Sequence, residues 1–341
     1  MVADTLGEKA CAFWTVGPGK GELRQEDLKP PGPGEALVRT LHTGISRGTE
    51  MLVYNGQVPA SVRDQMRSPF QEGDLPGPVK YGYLSVGLVE QGPSELEGRT
   101  VFCLYPHQDR FVAPADALVP VPDGVPARRA VLAGTMETAV NAVWEAGPRL
   151  GDRVAVIGAG MVGLLVAALL KQFPLGRLQL ADIDPAKGST AAAFGVDFVA
   201  PGEAADNCDI VIHCSASGEG LATGLGLLGV EGELIEMSWY GERAVQIPLG
   251  AEFHSRRLSI RASQVGAVAP VRRARRSNRD RLLLALELLK DPVFDALLTG
   301  TSNFDELPAV MERLASGELN ALCHVIDYPG TAVPETNQQG E

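Results

Sequence analysis

One stretch narrows the folds open to this chain more than any other: Val154-Ala-Val-Ile-Gly-Ala-Gly-Met-Val-Gly163. The four apolar residues Val154 to Ile157 read as a buried strand of a parallel sheet. Gly158, Gly160 and Gly163 follow in G-x-G-x-x-G spacing, and Leu164 to Lys171 continues as an almost wholly apolar run of good helix formers. The first glycine allows a tight strand-to-helix turn, the second a close backbone approach to a pyrophosphate, and the third close packing of helix on strand. The helix N-terminus adds unpaired N–H donors and a partial positive charge. The next apolar run, Arg177 to Ala181, ends at Asp182, nineteen residues after Gly163. There a carboxylate meets the adenosine ribose hydroxyls of a bound dinucleotide. The predicted cofactor residues are therefore Gly158, Gly160, Met161, Val162, Gly163, Asp182 and Ile183. A carboxylate at 182 also repels a 2′-phosphate, by ~4 kcal/mol for charges ~4 Å apart at an effective dielectric of ~20. NAD is expected over NADP; Lys187, close behind, softens the repulsion and keeps NADP open.

Around this motif the pattern is β-α-β-α. Strands are predicted at 154–157, 178–181, 198–199, 210–214, 232–237 and 258–263, with helices near 163–172, 186–194 and 218–228. That is a doubly wound α/β half. Residues 1 to 130 instead show short alternating runs broken by Gly and Pro, such as Ala10 to Trp14, Glu35 to Arg39, 84–90, 100–104, 110–114 and 117–122. They predict a compact β-barrel-like unit. The polar insertion from Gln57 to Pro78 reads as a flexible cover over a site. Helices are expected from Ala127, from Glu137 to Ala146, over Asp280 to Lys290 and over Phe304 to Leu314, with a closing strand at 321–328. The cluster Arg272-Arg-Ala-Arg-Arg276 reads as a solvated helix start, and the last dozen residues as a disordered tail.

Composition sets limits on partners. The chain of 341 residues has a formal net charge of −12, which argues against nucleic acid. Its five cysteines are scattered and never form C-x-x-C, as expected of reduced thiols in a cytoplasmic protein. No apolar run reaches membrane-spanning length.

The element order, together with Gly44-Ile-Ser-Arg-Gly-Thr-Glu50, Gly82-Tyr-Leu-Ser-Val-Gly87, Thr138-Ala139 and Phe304-Asp-Glu-Leu-Pro308, resembles the medium-chain dehydrogenase/reductase superfamily. The zinc alcohol dehydrogenases belong to that superfamily. The first segment is most similar to the branch containing bacteriochlorophyllide hydroxyethyl dehydrogenase. The resemblance spans residues 10 to 328. It implies a β-rich, GroES-like catalytic domain (1–134 and 267–341) around a Rossmann domain (135–266). It also implies NAD(P)-dependent oxidoreduction of a small-molecule substrate and a homodimer paired through a late Rossmann strand, 232–237 or 243–247. Arg47 would reach the pyrophosphate, and Thr138 would lie beside the nicotinamide.

The departures from the family pattern concern the metal. Ser46 stands where zinc members place a cysteine, Tyr83 where they place a histidine, and Gly134 at the third ligand. Hydroxyls are poor zinc ligands and glycine offers none. The four-cysteine structural lobe is missing as well, so neither catalytic nor structural zinc is expected. An alkoxide formed during hydride transfer then needs another stabiliser or proton donor. Tyr83 is the first candidate, with Lys80 expected to lower its pKa, and His107 the second. Thr49 and Glu137 complete the catalytic candidates. A non-canonical metal site from Cys103, His107 and Glu50 or Glu137 stays open, as do His254 facing the cleft, C=C reduction, and dinucleotide binding without catalysis.

Overall fold

The computed structural model describes residues 9–250 and 252–330; the tail expected to be disordered lies outside them from residue 331 on. Among these residues the parallel sheet runs in the order Asp197–Val199, Arg177–Ala181, Arg153–Ile157, Cys208–His213, Leu228–Glu236, Ser259–Ala262. Every neighbouring pair is parallel. The order reverses between Arg153–Ile157 and Cys208–His213, so a crevice opens beyond the carboxyl ends of those two strands, where such sheets bind ligands. Helices Met161–Leu170 and Gly218–Leu227 start on either side of it.

The β-rich part forms two further sheets. The larger contains, in order, Leu298–Asn303, Cys323–Asp327, Glu35–Ile45, Ser85–Gln91, Thr100–Cys103 and Val119–Pro120, with Arg110–Pro114 paired onto Glu35–Ile45. The smaller runs Lys20–Asp27, Lys9–Gly17, Val79–Lys80, Glu72–Gly73. Helix Ala133–Ala146 joins the two halves. Its Met136, Ala139 and Val140 pack into one core with Leu84, Val86 and Phe102 of the β-rich sheet and Val154, Val156 and Leu164 of the parallel one. Full burial of each large side chain there contributes about 1.5–3 kcal/mol. Helix Leu307–Ala315 presents Leu307, Val310, Met311 and Leu314 to a second core with Phe13, Ile45, Met51 and Tyr54.

Several expectations need correcting. The helix expected from Glu137 begins at Ala133, because Gly134, Thr135 and Met136 are buried in the same core face. Residues 243–247 form no strand. The Leu228–Glu236 strand has both edges already paired, so Ser259–Ala262 is the free edge on that side. The 57–78 insertion is not a bare flap: Val58 and Leu75 are buried, and Arg67 ties Asp74 to the backbone of Gln71 and Gly73. His254 is exposed just before the amino end of the Ser259–Ala262 strand, opposite the crevice.

Candidate active site

The glycine turn follows the sequence logic closely. A Cβ at Gly163 would lie 1.8 Å from the Gly158 carbonyl oxygen, so helix and turn meet backbone on backbone. Gly158 has φ +102°, and a Cβ there would strike the Ser215 backbone nitrogen at 2.7 Å. A Cβ at Gly160 would meet nothing within 4 Å, and no side chain caps the Met161–Leu170 helix. The space before that helix is therefore open, with unpaired N–H groups facing it. Met161 and Gly163 are buried in its first turn, with Val162 partly buried between them. The Asp182 carboxylate accepts hydrogen bonds from the backbone N–H of Ala159 at 2.6 Å and of Asp184 at 2.9 Å. That locks it against the glycine turn while lone pairs remain for further donors. Ile183 beside it is 89% exposed, an unusual position for an isoleucine, and Lys187 is partly exposed.

On the β-rich side the residues at the three family ligand positions sit together. The Tyr83 hydroxyl lies near the side chains of Ser46 and Thr49. Leu84, the next residue, fills the space over Gly134: a Cβ on that glycine would lie 2.6 Å from Leu84 Cδ2. Burial, and then the nearby Glu50 charge, push the Tyr83 pKa well above the ordinary 10, against a smaller opposing pull from Ser46 and Thr49. Tyr83 is therefore a protonated phenol at neutral pH. Its ring meets Tyr81 edge-on at 6.0 Å, and Trp239, from the segment after Leu228–Glu236, packs into the same apolar cluster.

Behind Tyr83 runs a buried polar chain that sequence reading left scattered. His107 Nε2 lies 2.9 Å from Glu50 Oε2, and His107 Nδ1 lies 2.7 Å from Thr43 Oγ1. Thr43 Oγ1 is 3.3 Å from the Tyr328 hydroxyl, and the Ser46 N–H donates to Glu50 Oε1 at 2.8 Å. Glu50 and His107 are separated by 57 residues in sequence, so no local spacing announces the pair.

Other candidates face elsewhere. Lys80 is not beside Tyr83: its Nζ bonds Glu26 and Gln108 at 2.7 Å and Glu72 at 2.5 Å. It cannot supply the pKa lowering expected of it, and the shift at Tyr83 has the opposite sign. Glu137 is held at 3.0 Å by the fully buried Arg281, which also bonds Asn141. That pair fastens helix Asn278–Leu288 onto Ala133–Ala146, and Glu137 serves packing. Arg47 donates to Asn320 Oδ1 and the Ala321 carbonyl. Thr138 Oγ1 bonds the Gly134 carbonyl within its helix. Of the four residues of the alternative metal site, His107 and Glu50 meet, Glu137 is paired with Arg281, and no group of three or more His, Cys, Asp or Glu suited to a metal exists among the described residues. His42, His213 and His324, which lacked visible partners in sequence, bond Asp327, Glu236 and Ser302 respectively. No helix among the described residues is long and apolar enough to cross a membrane.

No family model matches the chain. Among curated proteins, sorbitol dehydrogenase of Ovis aries is 27% identical over 209 residues, covering 53% of this chain and 58% of that protein. The 2-desacetyl-2-hydroxyethyl bacteriochlorophyllide A dehydrogenase of Cereibacter sphaeroides is 32% identical over 184 residues, covering 47% and 52%. The chain thus spans between half and three-fifths of the length of these two relatives. Among solved structures, L-idonate 5-dehydrogenase from Escherichia coli superposes with a TM-score of 0.77 at 18% identity, over 94% of this chain and 98% of that one. That likeness shows the fold.

Proposed function

We propose that this chain, which belongs to the medium-chain dehydrogenase/reductase superfamily, is an NAD(P)(H)-dependent oxidoreductase acting on a carbonyl or secondary alcohol without a catalytic zinc. The observation that carries this reading is an open glycine turn in a chain whose metal-ligand positions, by the resemblance, hold Ser46, Tyr83 and a Leu84-filled Gly134. The turn suits a dinucleotide. Gly158, Gly160, Met161, Val162 and Gly163 would hold the pyrophosphate, Asp182 the adenosine ribose and Ile183 the adenine face, with NAD favoured by the carboxylate. When bound, the dinucleotide supplies or accepts the hydride.

The chain's own residues supply the proton. Tyr83, kept as a phenol by its surroundings, donates a hydrogen bond to the substrate oxygen. As alkoxide charge develops, the Tyr83 O–H bond breaks and its proton passes to that oxygen. Ser46 and Thr49 lie beside the hydroxyl and would orient it. We place the chain in the cytoplasm as a homodimer, with the free Ser259–Ala262 edge as the pairing strand.

The test is NADH consumption across a panel of ketones and aldehydes, comparing native protein with Tyr83→Phe. General acid catalysis contributes about 10²–10⁴-fold, so the variant should lose that much in kcat while still binding NADH. Undiminished turnover would favour C=C reduction with water as the proton donor. Binding without turnover on any carbonyl, alcohol or enone would favour the non-catalytic reading.

A further inference from the structure

Arg47 donates to Asn320 and Ala321 of the β-rich part, whereas a second exposed guanidinium, Arg243, donates to the loop beside the glycine turn. Arg243 lies on the segment that follows Leu228–Glu236. One Arg243 nitrogen donates to the Ala216 carbonyl at 3.1 Å, and Nε donates to the Tyr240 carbonyl at 3.3 Å. Arg243 is exposed, and no carboxylate among the described residues pairs with it. The lip it rests on, Ser215 to Ser217, borders the crevice: the Ser215 backbone abuts Gly158, the first glycine of the turn.

That lip is fixed from below. His213, fully buried at the end of its strand, holds both Glu236 oxygens at 2.9 Å through Nδ1 and Ser215 Oγ at 2.7 Å through Nε2. Ser238 and Tyr240 bond the same carboxylate. The network ties Ser215 to the segment that carries Arg243, so a flexible arginine is anchored at its backbone on both sides of its contact. Ala216, between them, is held at φ +52°.

We propose that Arg243, seated on the Ser215–Ser217 lip, meets the phosphates of the dinucleotide in place of Arg47. The inference rests on the dinucleotide reading above. A guanidinium is suited to phosphate oxygens because it presents fixed parallel donors.

The test is a fluorescence titration with NADH, ADP and adenosine on native protein, Arg243→Gln, Arg243→Lys and Arg47→Gln. A charge-assisted hydrogen bond corresponds to roughly a tenfold to hundredfold change in affinity. Arg243→Gln should weaken NADH and ADP by that factor and leave adenosine unchanged. Arg243→Lys should recover part of the loss, and Arg47→Gln should bind as the native chain does. Unchanged ADP affinity in Arg243→Gln, an equal loss for adenosine, or a loss in Arg47→Gln would each overturn the assignment while leaving the dinucleotide reading intact. Failure of the native chain to bind NADH or ADP would overturn both.

Discussion

His107 Nε2 lies 2.9 Å from Glu50 Oε2, with the two side chains 1% and 2% exposed. A buried pair of this kind is worth little against an apolar replacement of both partners, but removing one partner strands the other. His107→Leu should therefore destabilise the fold by about 3–5 kcal/mol. Glu50→Gln keeps its oxygen for the Ser46 N–H and turns its amide N–H to His107 Nε2, which accepts it in the other imidazole tautomer, and should cost about 1 kcal/mol. Urea midpoints measured on both variants check the order; a larger loss for Glu50→Gln would show that the pair is not the stabilising unit.

Leu84 and Gly134 should be coupled through space. In the native background, Gly134→Ala forces a Cβ to 2.6 Å from Leu84 Cδ2, and overpacking of this kind costs about 1–3 kcal/mol. In a Leu84→Ala background the clash is gone, and the same change should stabilise by about 1 kcal/mol through helix propensity. The sign reversal is read from a double-mutant thermal unfolding cycle. The same sign in both backgrounds would mean that Leu84 does not occupy that space.

Acid stability should depend on Glu236. Burial alone would raise its pKa, but hydrogen bonds from His213 and Ser238 outweigh burial and leave it below the usual 4.5. A carboxylate depressed in the folded state contributes stability above its unfolded pKa and loses it as pH falls through the folded value. Stability of the native chain should therefore decline below about pH 4.5 more steeply than that of Glu236→Gln, measured by denaturation between pH 3 and 6. Parallel curves would remove Glu236 from the account.

Gly163→Ala tests the glycine turn. A Cβ at 1.8 Å from the Gly158 carbonyl oxygen meets backbone, which cannot swing aside as a side chain would. The variant should lose NADH binding and unfold at lower temperature. Native-like affinity would show that the turn opens without harm.

The parallel sheet and its crevice were legible because each strand is a short apolar run and each turn carries its own glycine or cap. Strand Lys20–Asp27 was not, because KGELRQED has one apolar residue, Leu23. It is held by pairing along Lys9–Gly17 and by Trp14, which bonds Glu26 and lies under Arg24. Helix Thr49–Tyr54 was hidden by its length of six residues, and strand Leu298–Asn303 by polar alternation. At the site, Ser46, Tyr83 and Gly134 could each be set against the family pattern from the sequence alone. The partners of Lys80, Glu137 and Arg47 were not, because Glu26, Arg281 and Asn320 reach them from distant segments. The Glu50–His107 pair was likewise invisible, since only the closing of Glu35–Ile45 against the 105–110 segment brings the two together.

In the proposed reaction Tyr83, and not a metal, serves the substrate oxygen. Elemental analysis of the purified chain tests it most directly. The prediction is zinc well below one equivalent per chain in protein that binds NADH and retains activity after chelator treatment. About one zinc per chain, lost together with activity on chelation, would contradict it.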